Sequence, residues 1–497
     1  MPDLIRAHAA AHPDKVAVQM DDRALDYGTF DAGVDRVAAA LQRDGVEPGE
    51  NVSVCAGTSV DYAVLYLAIL RAGAAVAPIA PSVTGGQMAA MIADSAARHV
   101  FLDTATRETL GDHAAEITAK IIALDDSDIG QPWCEWRGAA GAAPTPISVT
   151  PDSPFNVIYS SGTTGVPKGI VHSNLMRWRQ ISGTGAMGYD QAVIINSTPL
   201  YSNTTLVTFL PTLAWGGTVV LMKKFEARAF LELAEKTGAT HAMLVPVQYR
   251  RIMADPDFDS FDLRAFRAKT CTSAPFSAEL KRDVLDRWPG KLIEYYGLTE
   301  GGCSFALVAD EHPDKLHTVG RPLHGHEAKL IDEEGREVAP GEPGEIVGRS
   351  GTMMNGYLNR QDKTDEMLWR DENGDIWFRQ GDIGRFDEDG FLILTDRKKD
   401  MIISGGFNIF PSDIEAVSRT CPGVEDVSVV GVPSDEWGET PVAFAVGTAS
   451  ADEIKSWTNE RVGKTQRLSD VVMVNELPRS AIGKVLKREL RERYLAS

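Results

Sequence analysis

Residues 29–45, TFDAGVDRVAAALQRDG, set apolar side chains at helical spacing and stop at Gly45, which predicts a helix ending there. NVSVCAG then predicts a short buried strand, and VDYAVLYLAILRAG a second helix. Strand and helix patterns alternate again through AVIINSTPL, GGTVVLM, FLELAEKTG and HAMLVPV. That alternation predicts an α/β architecture with largely parallel strands, because strands covered by helices on both faces read as unbroken apolar runs. Residues 138–154, rich in Ala, Pro, Gly and Ser, form a connector in front of the strand-like FNVIYS.

After about residue 325 the texture changes. EAKLID, GEIVGRS and FLILTDR are short strands set between acidic turns such as DEEGRE, DENGD and DEDG, which predicts a small β-rich subdomain. The last hundred residues run helix (SDIEAVSRTC), strand (VEDVSVVGV), strand (PVAFAVG), helix (ADEIKSWTNERV) and strand (VVMVNEL), a compact α+β unit. The charged crossing TDRKKD separates the two, giving a large N-terminal domain over 1–396 and a small C-terminal domain over 397–497.

Composition narrows the function. The chain has 497 residues with 43% hydrophobic and 24% charged, the profile of a globular protein of more than one structural unit. A formal net charge of -20 argues against sequence-independent nucleic-acid binding, which needs basic patches. A polyanionic ligand must then be met by locally placed Lys, Arg and backbone N–H groups. The 5 cysteines are scattered, forming neither a disulfide framework nor a C-x-x-C site, which points to a cytoplasmic setting. The N-terminus lacks the unbroken apolar core of a signal peptide. YLAILRAGAAVAPIAP is interrupted by Arg71 and Pro78, so no integral membrane segment is expected.

Four stretches carry candidate chemistry. SSGTTGVPKG, Ser160 to Gly169, has the glycines and lysine of a phosphate loop without the spacing G-x-x-x-x-G-K-[ST]. Its N–H groups and hydroxyls (Ser160, Ser161, Gly162, Thr163, Thr164, Gly165) can form an anion-binding concavity, with Lys168 adding charge and Pro167 stiffening the turn. The plainer reading is a surface turn. In YYGLTEGG, Glu300 is a candidate Mg²⁺ ligand, Thr299 can donate to a phosphate oxygen, and Tyr296 beside Gly297 offers a flat face to a base. Read alone, Thr-Glu is equally a helix cap. WFRQGDIGRF puts Asp382 after Gly381 at a strand end, where a carboxylate can accept both ribose hydroxyls, or simply sit in a turn. LPRSAIGKVLKREL puts Lys484 after Gly483 just before a basic helix, where it can be swung into a site as a point charge; Lys487, Arg488 and Arg491 read as a solvated tail.

In this order and spacing the four resemble the AMP-forming adenylate-forming superfamily, and within it the bacterial fatty-acyl and 4-coumarate-type CoA ligases. The resemblance continues through VGRPLHGHEAKLID, PGEIVGRSGTMMNGYLN and TDRKKDMIISGGFNIFPSDIE, so it spans nearly the whole chain. It implies ATP, Mg²⁺ and coenzyme A as co-substrates and cofactor. A carboxylic acid would be converted to acyl-AMP and pyrophosphate, and the acyl group then passed to CoA. Carried over by residue, Thr163, Thr164 and Lys168 would hold pyrophosphate, Glu300 the metal, and Thr299 the α-phosphate. Thr272, Ser273, Ala274 and Pro275 with Tyr296 would line the adenine, Asp382 and Arg397 the ribose, and Lys484 would be the catalytic lysine. Lys399 would be the hinge of a mobile C-terminal domain, and Ser404, Gly405, Gly406 and Phe407 would border the CoA tunnel. The acyl pocket would draw on Tyr201, Ser202, Thr204, Val247, Gln248, Gly301, Gly302 and Cys303, mostly small to medium residues that suit a medium-chain fatty or aryl acid.

Two positions depart from the family pattern. Ser202 stands where relatives often have histidine, and Gln380 where they usually have Thr or Ser before Gly-Asp. His172 reads as structural. No arginine is an obvious partner for a second carboxylate, although Arg250 and Arg251 lie near the acyl segments. Two alternatives stay open: transfer to a carrier-protein phosphopantetheine, and a nucleotide-binding protein without catalysis. The expected partners are small molecules, with a homodimer open to the chain.

Overall fold

The computed structural model describes residues 1–160, 168–397, 400–404, 407–434, 437–463, 466–480 and 483–496. The alternating apolar segments assemble two sheets. In one, Ala268–Cys271, His241–Leu244, Val193–Asn196, Thr218–Leu221 and Val16–Met20 run parallel, with Lys291–Leu298 parallel beside the first and antiparallel strands at both ends. In the other, Pro154–Ser160, Ala75–Pro78, Asn51–Cys55, His99–Leu102 and Lys120–Ala123 form the parallel body, and Lys168–Ser173 and Gly356–Tyr357 turn antiparallel at one edge.

The helices Val60–Arg71 and Asn203–Trp215 lie between the sheets and share one core with Val52, Val54 and Val76 from one and Val18, Ile194 and Val219 from the other. This is why YLAILR is apolar all round: a helix covered on every side has no polar face to show. The Arg71 that interrupts it is buried and paired with Asp31 at 2.5 Å and Asp35 at 2.9 Å. Among the described residues no helix is long and apolar enough to cross a membrane.

The β-rich segment folds as an antiparallel sheet of His326–Ile331, Gly344–Ser350, Ile376–Phe386, Leu368–Arg370 and Leu392–Arg397. The C-terminal segment has its own five-stranded sheet and its own core around Ile402, Ile414, Val429 and Ala443. Its final strand, Asp470–Met473, is shorter than VVMVNEL suggests, and the helix Ala451–Asn459 stops before ERV.

Candidate active site

The strand Pro154–Ser160 pairs with Lys168–Ser173, Ser160 opposite Lys168. Ser161, Gly162, Thr163, Thr164 and Gly165 lie outside the described residues, as do Lys399, Gly405 and Gly406. The Lys168 ammonium stands 4.9 Å from the centre of the Tyr357 ring, close enough for a cation–π contact. The Tyr357 hydroxyl donates to Glu300 Oε1 at 2.9 Å. Burial, and then the Glu300 charge, push the Tyr357 phenol well above its ordinary range, so it stays a donor. Cation, ring and carboxylate are thus set in a row.

Thr299 and Glu300 occupy the tight turn between Lys291–Leu298 and Gly301–Val308, where Leu298 faces Gly301 across the ladder. The helix-cap alternative therefore falls: no helix begins there. Gly301 has φ +92, and a Cβ on it would come 2.3 Å from the Thr352 carbonyl oxygen, so only glycine fits this corner. The Met354 N–H donates to the Glu300 carbonyl at 2.8 Å and fixes the turn from the other side.

Behind Thr299 lies a buried polar network that the sequence did not announce. His172 Nε2 is 2.7 Å from the Thr299 carbonyl, and Nδ1 faces Arg177 Nη2 at 2.8 Å and Asn156 Nδ2 at 3.1 Å. A guanidinium only donates, so Nδ1 must accept and Nε2–H must donate to Thr299. Burial first, then the Arg177 charge, hold the imidazole pKa far below its ordinary value, so it is neutral. His172 acts on the turn structurally, as the sequence suggested.

Tyr296 donates to Asp382 Oδ2 at 2.7 Å, and the strand register sets Arg397 opposite Asp382. Asp382 is not at a strand end: Ile376–Phe386 continues past Gly381, with an irregular register between Ile383 and Gly384 against its neighbour. Ser273 has φ +82, rare for a residue with a side chain, and its Oγ is 2.8 Å from Thr204 Oγ1. Ala274 is half-buried beside it and Pro275 exposed. Ser202, in place of a histidine ring, caps the helix Asn203–Trp215 by accepting from the Thr204 N–H at 3.3 Å. Gln380 is buried and accepts from the Cys303 N–H at 3.2 Å, tying its strand to the Glu300 hairpin.

The C-terminal segment reaches this place through Lys484. Ser480 N–H donates to the Lys484 carbonyl at 2.8 Å and Arg479 to the Gly483 carbonyl at 2.7 Å, closing a tight turn. Gly483, at φ +76, presses on the N-terminal segment: a Cβ there would come 2.7 Å from Val247 Cγ1. Asp426 Oδ2 accepts from Arg479 Nη2 at 2.5 Å and lies 3.9 Å from Arg250 Nη1. Arg250 thus belongs to the contact between the two segments. Ser404 is buried, paired with Gly438 and with Phe407.

One cleft of about 2330 Å³ is lined by Lys168, Tyr296, Gly297, Thr299, Glu300 and Lys484 together. Tyr201, Ser202 and Thr204 form part of its wall. The other expected acyl-pocket residues sit one layer back: Gln248, Gly301, Gly302 and Cys303 are buried, with Gln248 Oε1 accepting from Val245 N–H at 3.0 Å, and Val247 is taken up by Gly483. Burial pushes the Cys303 thiol up to about 12, so it is no nucleophile. No three His, Cys, Asp or Glu residues gather as a metal site among the described residues. A single oxygen donor, Glu300, suits Mg²⁺, which is held largely by a substrate's own phosphates and water.

The sequence model described as AMP-binding enzyme matches residues 5–358, and that described as AMP-binding enzyme C-terminal domain matches 413–484. The chain is 32% identical to a feruloyl-CoA synthase of Amycolatopsis sp, over 98% of this chain and 97% of that protein. It is 30% identical to the fatty acid–[acyl-carrier-protein] ligase ScoC of Streptomyces coeruleorubidus, over 98% and 95%. Among solved structures, ATP-bound MatB from Rhodopseudomonas palustris superimposes with a TM-score of 0.88 at 28% identity, covering 99% of both chains. With the fold, the cleft and these likenesses in agreement, the chain belongs to the AMP-binding enzyme family and carries that family's C-terminal domain.

Proposed function

We propose that this cleft joins a carboxylic acid to coenzyme A in two steps, as an AMP-forming acid–CoA ligase. The convergence of Lys168, the Thr299–Glu300 turn, Tyr296 and Lys484 on one cavity carries the reading, with Asp382 held just behind it by the Tyr296 hydroxyl. In the first step a carboxylate oxygen attacks the α-phosphorus of ATP and pyrophosphate leaves. Two anions must meet, so the work is positioning and charge neutralisation rather than covalent catalysis. Lys484 meets the carboxylate and the α-phosphate, Thr299 donates to the α-phosphate, and Lys168 with the residues from Ser160 to Gly165 grips the departing pyrophosphate. Mg²⁺ on Glu300 would add countercharge at the phosphates. Tyr296 with Ser273, Ala274 and Pro275 borders the adenine, and Asp382 and Arg397 the ribose.

In the second step the CoA thiol attacks the acyl carbon and AMP leaves. Domains of 1–396 and 397–497 turn about Lys399 between the steps, withdrawing Lys484 and bringing up Ser404 to Phe407. A medium-chain fatty or aryl acid is the proposed substrate, in line with a feruloyl-CoA synthase among the relatives. A cytoplasmic home and a homodimer belong to the same reading; five unpaired cysteines support the first.

Carboxylate-dependent exchange of labelled pyrophosphate into ATP, with thioester formed only when CoA is added, is the expected behaviour; absence of both sinks the proposal. Lys484→Ala should abolish exchange yet spare thioester formation from supplied acyl-AMP. Equal loss of both would contradict the two-position scheme. A relative named as an acyl-carrier-protein ligase favours a second acceptor, and offering CoA and a holo carrier protein side by side decides between them.

A further inference from the structure

Arg177, behind the cleft wall, has no part in the reaction above. It sits on the helix Asn174–Gly183, is 1% exposed, and has no carboxylate within ion-pair distance among the described residues. Burial lowers its pKa only to about 10, so it remains a cation at neutral pH. A buried charge without a counter-charge is expensive unless neighbouring dipoles are turned to it. Here they are: Nε donates to Asn156 Oδ1, Nη1 to Gln180 Oε1, and Nη2 to Asn203 Oδ1, each at 2.8 Å, besides the bond to His172.

Those bonds fix two amides. Because a guanidinium can only donate, Gln180 and Asn203 must present their oxygens to Arg177 and their NH₂ ends away from it. Both residues line the cleft, Asn203 between Ser202 and Thr204 on the proposed acyl side and Gln180 joined to it through Arg177. Neither NH₂ donates to any other described residue. At these two amides the wall therefore presents NH₂ donors, polarised by a positive charge directly behind them.

We infer that Gln180 and Asn203, backed by Arg177, form a subsite for a second, anionic group on the acid substrate. The inference rests on the ligase reading and narrows it: the preferred acid has a terminal carboxylate as well as the one that is activated. A plain alkyl or aryl end would leave four N–H donors unpaired against it, and unpaired donors in a pocket are a strong ground for rejection.

Matched acids in the pyrophosphate-exchange assay test this. One series is hexanoate, the monoamide of adipate, and adipate; the other is benzoate, the monoamide of terephthalate, and terephthalate. In whichever series is turned over, the dicarboxylate should exceed the parent in kcat/KM by about tenfold or more, with the neutral amide between them. Gln180→Leu and Asn203→Leu should each shrink that ratio, and Gln180→Glu should invert it by setting like charge against the substrate. A parent acid preferred over or equal to the dicarboxylate overturns the inference, as does an amide preferred over both. A ratio unchanged in variants that retain the wild-type melting temperature also overturns it. Failure of every acid in a wider panel to support exchange is a different result, and removes the ligase reading itself.

Discussion

Proton positions are normally assigned rather than seen, yet Arg177 settles several at once, since it has nothing to accept with. Asn156 turns its oxygen to the guanidinium and its NH₂ to His172, and the imidazole is left with one donor, spent on Thr299. A histidine held neutral in the fold but free to protonate when unfolded makes the folded state acid-sensitive. Its folded pKa is depressed below the ordinary 6.5, so its contribution is complete above that value and lost as pH falls beneath it. Stability should drop by about 1.4 kcal/mol per pH unit below that point from this group alone. Chemical denaturation of wild type and His172→Gln between neutral and acidic pH measures it; parallel curves would refute the assignment. Tyr357 makes the second residue-scale prediction. Tyr357→Phe keeps the ring under Lys168 but removes the donor to Glu300 Oε1. The Mg²⁺ concentration for half-maximal pyrophosphate exchange should rise about tenfold, the usual penalty for losing a partner of a metal ligand.

At the scale of elements, the turn bearing Thr299 and Glu300 is built on a backbone shape that only glycine takes. Gly301→Ala should lower stability by about 2–4 kcal/mol, since a methyl group would strike the Thr352 carbonyl and φ +92 is strained for any side chain. A melting temperature within a degree of wild type would show that the hairpin has another way to close. This corner also marks where sequence reading ran out. Alternating apolar runs disclosed the parallel strands, because burial on both faces leaves a continuous apolar signature. GLTEGG carries no such periodicity, and its Thr-Glu suits a cap as well as a hairpin. The Asp382 strand was cut short for a similar reason: Gly381 reads as a terminus, whereas the ladder carries on beyond it. The burial of Arg177 depends on Asn156 and Asn203, whose proximity no local pattern records. Lys168, Glu300 and Lys484 were legible because their motifs are chemically unusual, and Ser161 to Gly165 lie outside the described residues.

For the whole molecule, the question is what keeps the C-terminal segment against the cleft. Gly483 meets Val247, and Asp426 reaches across to Arg250 at 3.9 Å. Arg250 is more than half exposed, so this pair contributes about 0–1 kcal/mol and weakens as salt rises. Arg250→Ala should therefore slow adenylation at low ionic strength and converge on wild type at high ionic strength, while leaving the melting temperature nearly unchanged. A salt-independent deficit would place Arg250 elsewhere in the mechanism. Asp426 has a deeper consequence. It keeps Arg479 as a partner whether or not Arg250 is near, so parting the two segments strands no carboxylate. For the two-position cycle proposed above, such a clasp would add little restoring force: the time spent on each side would be set by which substrate is present, and the bridge would only trim the duty cycle.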